Sequence, residues 1–405
     1  MKTLILFIDA FSFTDLNEKN APFIFNLAKN GSYGPLTTIP AGYHIEYSML
    51  SGSLPLKHNV WTWYYLKKNS SFSKIKYIKP LIKLLNKNEK MQRKLIDVYI
   101  NLLRLLSGKT RFLKTNKIPI NLLEKFEIAV DKSYVDHNPL NVPTLFDIFR
   151  KQNINYVAME YPTISNKNKT WFYSGKDDFK QLEKTEKLLE KYDVVYNHIW
   201  NLDSIEHKYG LHSAEALEHI KKIDSYVEKI VLSQREPIKI VIFSDHGGCN
   251  VNQTKNILDI LKGFNVDYFI GSTTCQIWFK EDNLKEKERL KNILKDHDYL
   301  IYDKKNIEKE LKIPYKREFV GDILAWVKPG EQIYPDFFRD TDKVKSMHGY
   351  TQKVPEMAGI FIMNGFDKKD KKNKIKEMML YDIAPTILKG FNMEIPKEWD
   401  GKARV

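Results

Sequence analysis

The sequence predicts an α/β fold in which helices cover both faces of a mainly parallel sheet. Short, almost entirely apolar runs alternate with longer segments whose apolar residues recur at helical spacing. Runs that are apolar throughout are typical of parallel strands buried on both faces. Their alternation with helices predicts a parallel sheet wound on both sides. With 405 residues, the chain is long enough for two or three domain-sized units.

The predicted elements follow this alternation along the chain. The predicted strands are the apolar runs 4–8, 156–159, 194–200 and 238–244. The predicted helices are residues 21–30, 78–85, 91–106, 144–149, 177–191 and 213–232. The first helix is followed by Gly31, a residue type that commonly ends helices.

Two segments depart from the alternation and predict excursions from the main unit. Residues 66–135 contain apolar residues at helical spacing among many lysines, which predicts a basic helical cap insertion. Residues 281–340 alternate short strands with charged helices, which predicts a small α+β excursion. The predicted metal-binding core therefore consists of residues 1–65, 136–280 and 341–405.

The net charge of +14 is concentrated in the predicted cap. Residues 66–132 contain 17 Lys or Arg and 5 Asp or Glu, which supplies +12. A basic segment in a nearly neutral body indicates attraction to phosphorylated substrates, acidic lipid or nucleic acid, although a solvated helical face is an equal alternative. Because the lysines are interleaved with Leu and Ile, the pattern favours packing or peripheral contact with an anionic membrane and argues against nucleic acid.

Cysteine usage and the N-terminal sequence bear on the compartment. Two cysteines, Cys249 and Cys275, provide no disulfide framework and fit a reducing environment. The apolar run 4–8 is too short for a signal peptide and ends on Asp9. No run reaches membrane-spanning length. These features predict a cytoplasmic protein that can also lie peripherally on a membrane, and they leave the oligomeric state open.

Aspartates and a histidine stand where predicted strands end. Asp9 ends the first strand, and Asp245-His246 ends the run 238–244, just before two glycines. The carboxyl ends of parallel strands share one edge of the sheet, where open α/β proteins place their chemistry. Taken alone, each of these residues is also compatible with a helix cap or a turn.

Three further candidate ligands occur later in the chain. Asp203 and His207 are four residues apart, so one helical turn can direct both at one ion, and His348 lies in Ser346-Met347-His348-Gly349-Tyr350. Three Asp and three His make two mixed nitrogen and oxygen sites, which suit Zn²⁺ or Mn²⁺ better than Ca²⁺. Two such ions roughly 4 Å apart can clamp a phosphoryl group. The sequence therefore predicts two divalent metal ions as cofactors.

The order of these motifs resembles the alkaline phosphatase superfamily, and its type I phosphodiesterase/nucleotide pyrophosphatase branch in particular. The blocks that carry the resemblance are Phe7-Ile8-Asp9-Ala10-Phe11, Ser48-Met49-Leu50-Ser51-Gly52 with Pro55 and His58, residues 202–210, Phe243-Ser244-Asp245-His246-Gly247-Gly248, Met347-His348-Gly349-Tyr350, and residues 355–361, 381–388 and 399–402. The resemblance spans the chain apart from the two excursions. It implies an alkaline-phosphatase-like three-layer sandwich around the predicted sheet.

The resemblance also implies roles for the candidate residues. Asp203, His207 and His348 would hold one metal, and Asp9, Asp245 and His246 would hold the other. A Thr or Ser nucleophile would then attack phosphorus and form a covalent intermediate.

The nucleophile is where the chain departs from the family pattern. The family spacing, counted back about ten residues from Gly52, lands on Gly42, which has no side chain. Thr38 precedes Ile39-Pro40 much as the family threonine precedes its proline, although it lies four residues too far away. We assign the nucleophile to Thr38, with Tyr43, His44 and a metal-activated water as alternatives.

These features predict two-metal-dependent hydrolysis of phosphodiester or phosphomonoester bonds in a nucleotide, a nucleotide-linked sugar, or a phosphorylated glycan or lipid. A phosphotransferase or mutase of the same superfamily, and an inactive homologue that acts as a binding or scaffold protein, are the alternatives. The aromatic run 61–65 predicts stacking on a base or sugar ring, or packing within the cap.

Overall fold

The computed structural model describes residues 1–39, 45–60, 62–84, 89–107, 118–130, 138–160, 163–166, 170–172, 177–338, 344–351, 354–366 and 373–405. The strands in these ranges are β1 (Thr3–Ile8), β2 (Ser32–Thr37), β3 (Tyr64–Leu66), β4 (Phe126–Ile128), β5 (Tyr156–Glu160), β6 (Thr163–Asn166), β7 (Thr170–Phe172), β8 (Val194–Ile199), β9 (Lys239–Phe243), β10 (Cys249–Asn250), β11 (Gln253–Lys255), β12 (Val266–Ile270), β13 (Thr274–Phe279), β14 (Leu300–Tyr302), β15 (Ile323–Trp326), β16 (Glu331–Ile333), β17 (Ser346–Met347), β18 (Gly359–Asn364), β19 (Asn373–Lys374) and β20 (Met378–Met379).

The helices of the same ranges are α1 (Pro22–Lys29), α2 (Glu46–Ser51), α3 (Pro55–His58), α4 (Lys79–Leu84), α5 (Glu89–Ser107), α6 (Ile120–Leu123), α7 (Leu145–Lys151), α8 (Asp178–Leu189), α9 (Asn201–Tyr209), α10 (Ala214–Leu232), α11 (Ile257–Leu261), α12 (Leu284–Asp296), α13 (Ile307–Leu311), α14 (Arg317–Val320) and α15 (Ile383–Gly390). Short 3₁₀ helices lie at Phe13–Asp15, Ser71–Tyr77, Pro355–Met357 and Leu380–Asp382. The predicted strands and helices are confirmed to within two residues at each end.

A mainly parallel sheet forms the centre of the molecule, in the order β19-β2-β18-β9-β1-β8-β5-β6-β7. Strand β1 pairs in parallel with both β8 and β9, and β5 pairs in parallel with β8. Strand β18 runs antiparallel to β9 and to β2, so β2 points in the same direction as the parallel strands. The carboxyl ends of β1, β8 and β9, which are neighbours, therefore meet at one edge.

Helices cover the sheet on both faces, which confirms the predicted three-layer arrangement. Alternate residues of β1 belong to different cores: Leu4 and Leu6 pack with α1, α8 and α10 on one face. Ile5 and Phe7 pack with α2, α7 and α15 on the other. Because both faces of β1 are buried, the whole strand is apolar, as its sequence predicts.

The cap helices pack against a second, antiparallel sheet of order β12-β13-β15-β14. The ring of Phe126 lies 5.3 Å from Phe269 and 5.5 Å from Trp278 between ring centroids. Lys125 Nζ also lies 2.6 Å from Asp267 Oδ1. The cap and this small sheet thus share one apolar core. The domain boundaries at residues 66–135 and 281–340 remain predictions from the sequence. Among the helices described, none is both long and apolar enough to cross a membrane.

Candidate metal centre

The sheet register brings the two strand-end aspartates to the same level. Phe7 of β1 pairs with Phe243 of β9, and in each case the chain reaches an aspartate, Asp9 or Asp245, two residues later. The backbone N–H of Ala10 donates to Asp245 Oδ1 at 3.3 Å, which ties the two strand ends together. The aspartates therefore meet although 235 positions separate Ala10 from Asp245.

A buried aspartate orients α9, the helix that carries Asp203 and His207. The backbone N–H groups of Trp200 and Asn201 donate to the two carboxylate oxygens of Asp178 at 3.2 and 3.1 Å. His219 Nε2 lies 3.1 Å from the same carboxylate. The Asp178 carboxylate thus accepts hydrogen bonds from N–H groups that have no acceptor within the helix itself. Its negative charge is also favourable at the start of a helix. One turn inside this helix, Asp203 and His207 lie on the same face.

A two-residue strand carries His348 to the same edge. Met347 of β17 is paired with Cys249 of β10, so His348 follows close to the end of β9. Gly247 and Gly248 allow this approach, because a Cβ on Gly247 would clash with the Glu356 carbonyl oxygen and one on Gly248 would lie 2.5 Å from Ser346 Oγ. The Gly-Gly pair after Asp245-His246 therefore serves close packing as well as a turn.

The six candidate ligands form two clusters of three. The first cluster is Asp203, His207 and His348, and the second cluster is Asp9, Asp245 and His246. Within each cluster, one ligand atom from every residue lies within 4.8 Å of the others, so each could hold a metal ion. These are the same two sets of three that the resemblance implies.

The ligand atoms of each cluster are close enough together to share one small cation. In the first cluster, Asp203 Oδ1 lies 3.2 Å from His207 Nε2 and 3.5 Å from His348 Nε2. In the second, His246 Nε2 lies 3.2 Å from Asp245 Oδ2 and 3.6 Å from Asp9 Oδ1. Tetrahedral bonds of about 2.0 to 2.1 Å place neighbouring ligand atoms about 3.3 Å apart. Both clusters are therefore close to the geometry that a tetrahedral ion requires.

Hydrogen bonds set the tautomers of two histidines. His207 Nδ1 lies 2.8 Å from the Ser346 carbonyl oxygen, and His246 Nδ1 lies 2.8 Å from the Gly247 carbonyl oxygen. A carbonyl oxygen can only accept, so Nδ1 carries a proton in both rings, and Nε2 is the ring nitrogen that faces the cluster. Metal-binding histidines in proteins are typically held in this way.

The two clusters adjoin through their histidine rings. The rings of His246 and His348 stack with centroids 3.8 Å apart and planes inclined by 13°. His207 and His348 are also stacked, at 5.2 Å. Two ions held by the clusters would consequently be neighbours in one cleft.

The carboxylates of Asp9, Asp203 and Asp245 lie close enough together to repel one another, so positive charge between them would be stabilising. Burial raises the pKa of Asp9 well above its usual value, and the nearby Asp245 and Asp203 carboxylates raise it further. Burial also raises the pKa of Asp245, against the opposing effect of His246. Burial acts in the same direction on Asp203, but the imidazoles of His207, His348 and His246 more than offset it and lower the pKa. Cations between these carboxylates would relieve the repulsion.

Three residues beside the clusters were not predicted. His198 Nε2 lies 3.5 Å from Asp9 Oδ2, and its ring stacks on Phe7 at 3.9 Å. Glu206 is buried between the two ligands of α9, and burial, then Asp203 and Asp15, raise its pKa well above the usual value. The charge of Glu46 also contributes to the raised pKa of Asp9, so α2 begins close to the second cluster. His198 could have been found from its sequence, because it stands near the carboxyl end of the predicted strand 194–200.

The predicted nucleophile follows β2 at the same edge of the sheet. Thr38 is half-buried, and its hydroxyl makes one long contact of 3.5 Å with the Ile39 carbonyl oxygen. Only β18 separates β2 from β9, which corresponds to about 10 Å at ordinary strand spacing. The alternatives Tyr43 and His44, like Gly42, lie outside the described residues.

The aromatic run packs into the core shared by the cap and the small sheet. Tyr64 is buried with its ring 5.2 Å from Phe269, and Tyr65 stacks on Phe319 at 4.9 Å. Trp63 meets Phe338 edge-on at 5.8 Å. These contacts favour the packing alternative for those residues, while Trp61 lies outside the described part of the chain.

Comparison with known proteins agrees with the fold. The chain is similar in structure to human ectonucleotide pyrophosphatase/phosphodiesterase 5, with a TM-score of 0.70, 14% identity, and coverage of 99% of this chain and 97% of that one. It is also similar to the murine protein of that name in an inactive form in complex with AMP, with a TM-score of 0.68, 15% identity, and coverage of 98% and 96%. Residues 3–351 match the family described as type I phosphodiesterase/nucleotide pyrophosphatase. The chain therefore belongs to the type I phosphodiesterase/nucleotide pyrophosphatase family.

Proposed function

We propose that this protein is a metal-dependent hydrolase of phosphoric esters that acts on a nucleotide or a nucleotide-linked ester. The observation that carries the proposal is the pair of Asp/His clusters joined by the His246–His348 stack at 3.8 Å. Family membership supports the reaction class. The sequence is compatible with several substrates, namely phosphodiesters, phosphomonoesters, and phosphorylated glycans or lipids. The AMP bound to the murine relative supports a nucleotide as the substrate among these.

The first cluster would hold one divalent cation and the second cluster the other. Mixed carboxylate and imidazole ligands at near-tetrahedral spacing favour Zn²⁺, with Mn²⁺ as the alternative. Cations bound there would supply Lewis-acid stabilisation of negative charge on the phosphoryl oxygens. The protein's own part is to direct Nε2 of His207 and His246 toward the ions, through the Nδ1–H bonds to carbonyl oxygens.

We also propose Thr38 as the nucleophile. Its support is its position after β2, which ends at the same sheet edge as β1 and β9. The murine relative named as inactive carries a threonine-to-alanine substitution, which is consistent with a threonine in this role. Comparing Thr38→Ala with Thr37→Ala and His44→Ala tests the assignment, because turnover should fall about 100-fold or more only in Thr38→Ala.

The activity test uses bis-p-nitrophenyl phosphate with Zn²⁺ or Mn²⁺ added after chelation. Wild type should release nitrophenol, and Asp245→Ala and His348→Ala should each reduce the rate about 100-fold or more. The exposed His297, changed to alanine, is the matched control and should leave the rate unchanged. If wild type shows no turnover with any divalent metal although the metals bind, the protein is a binding or scaffold homologue. Transfer of the phosphoryl group to an added alcohol instead of water would indicate a phosphotransferase.

We propose a cytoplasmic location on the basis of the cysteines. Cys249 and Cys275 are both free, and Cys275 is fully buried. Free thiols are typical of reducing compartments. Fractionation of cells that produce the full chain tests this proposal, and recovery of the protein outside the cytoplasm and membrane fractions would contradict it.

A further inference from the structure

The helix α5 has one face in the core of the cap and another in solvent. Ile96 is 4% exposed and belongs to the core shared with the small sheet, and Leu95 and Tyr99 pack against that core. The helix has 19 residues, so it spans about 28 Å. An amphipathic helix of this length normally presents charged residues to water on its outer face.

Among the α5 side chains that the structure describes, three of the four exposed ones are instead apolar. Met91, Val98 and Leu102 are 50%, 60% and 52% exposed. Their spacings of seven and four residues place them on one line along the helix, about 16 Å long. Lys94 is exposed and falls on the same line. We call these four residues the outer stripe.

Other apolar side chains extend the outer stripe into a patch. Of the ten large hydrophobic residues that are exposed in the described part of the chain, five lie within residues 77–102. Besides the three in the outer stripe they are Tyr77 and Leu84, which are 73% and 82% exposed. Burial and the neighbouring Tyr77 raise the pKa of Tyr99, which shows that Tyr77 lies beside α5. Several exposed apolar side chains within one short segment indicate an interaction site.

The charge around the patch is positive. Residues 66–132 carry +12 in sequence, and Lys68, Lys76 and Lys94 are exposed. Glu127, one of the few acids of the segment, is 5% exposed and accepts hydrogen bonds from the Ser71 N–H and hydroxyl. It is turned inward, where it also lies 3.5 Å from Lys67 Nζ, and the segment as a whole keeps its excess of positive charge in sequence. Two copies of this surface would repel each other, so the complementary partner is an anionic one.

We propose that the outer stripe and its surrounding lysines bind the surface of an anionic lipid membrane. The helix would lie in the plane of the interface, with Met91, Val98 and Leu102 among the lipid chains and the lysines at the head groups. This proposal is independent of the phosphoesterase activity, because none of these residues belongs to either metal cluster.

The test is flotation of the full-length protein with vesicles of phosphatidylcholine, with and without about 30% phosphatidylglycerol. Wild type should bind the anionic vesicles, and raised salt should weaken binding because exposed charges are screened. The double variant Val98→Gln/Leu102→Gln should bind about tenfold or more weakly, since two half-exposed apolar side chains no longer enter the bilayer. Lys76→Gln/Lys94→Gln should also weaken binding about tenfold or more, because each lysine charge near an anionic surface strengthens binding about fivefold.

The matched control is Leu232→Gln/Leu284→Gln, which changes two residues that are 70% and 73% exposed on α10 and α12. It should bind like wild type. All three variants should keep the thermal stability of wild type and its turnover of bis-p-nitrophenyl phosphate. The proposal is wrong if wild type fails to bind anionic vesicles at low salt, or if the control loses binding as strongly as the outer-stripe variant. It is equally wrong if the outer-stripe variant changes only the oligomeric state, which would identify a contact between copies.

Discussion

Changing Asp9 to asparagine should stabilise the chelated protein while removing part of its response to metal. Asp9 is crowded by the carboxylates of Asp245 and Asp203, and burial adds to the cost of its charge. Asparagine keeps the shape of the side chain without the charge, so it relieves the repulsion when no cation is present. When a cation is present, the same change removes a ligand from the second cluster.

The size of the metal effect follows from the length of the chain. At a free metal concentration of about 100 times the Kd, each occupied site stabilises the fold by about 2.7 kcal/mol. An unfolding entropy of about 2.1 cal/mol/K per residue amounts to about 0.85 kcal/mol/K for 405 residues. Two sites should therefore raise the Tm of wild type by about 6 °C, and Asp9→Asn should retain about 3 °C of that shift.

The chelated protein should also show a pH dependence that distinguishes the two forms. The pKa of Asp9 is raised in the folded state. The contribution of Asp9 to the free energy of unfolding is thus fully present below its pKa in the unfolded chain, which is about 3.9. This contribution is lost as the pH rises through the pKa of Asp9 in the folded protein. Between those two values, wild type should lose up to about 1.4 kcal/mol per pH unit relative to Asp9→Asn, or about 1.6 °C.

Differential scanning calorimetry in chelator and in a Zn²⁺ or Mn²⁺ series provides the measurement. Asp259→Asn is the matched control, because Asp259 is exposed and its hydrogen-bond partners, Lys262 and Asn256, lie within three residues of it in the chain. It should follow wild type under every condition. The reasoning fails if Asp9→Asn is less stable than wild type in chelator, or if it keeps the full metal response.

Three further substitutions test how the centre is supported. Asp178→Asn should weaken metal binding at the first cluster about tenfold in calorimetric titration, because it disturbs the start of α9; unchanged affinity would refute that role. His198→Gln should weaken binding at the second cluster about tenfold, because it removes the imidazole 3.5 Å from Asp9, whereas an effect on the first cluster alone would contradict this. Gly52→Ala should destabilise the fold by about 2 to 4 kcal/mol, and lower the Tm by roughly 2 to 5 °C, without changing metal affinity. Gly52 has a φ of +56°, and an added Cβ would lie 2.6 Å from Trp399, so a Tm equal to that of wild type would be inconsistent with this close packing.

Much of the centre was accessible from sequence because its residues stand at recognisable points of a repeating pattern. Asp9 and Asp245 follow apolar runs, and parallel strands that are covered on both faces bring such positions to one edge. Asp203 and His207 share a helical face by their spacing alone. His348 had no such local signal, since a single histidine in a loop indicates nothing about its neighbours, and only the resemblance connected it to the rest.

The sequence by itself determined the alternation of strands and helices, the sheet type, the basic cap and the candidate ligands other than His348, because hydrophobic periodicity, helical spacing and strand ends are local properties. Tertiary structure alone decided that β9, β1 and β8 are neighbours, that β17 pairs with β10, and that the cap packs on the small sheet. It also decided that His198 and Glu206 adjoin the clusters, and that Met91, Val98 and Leu102 of α5 are at least half exposed. Each of these depends on contacts between residues far apart in the chain, and no local pattern encodes which distant surfaces will meet.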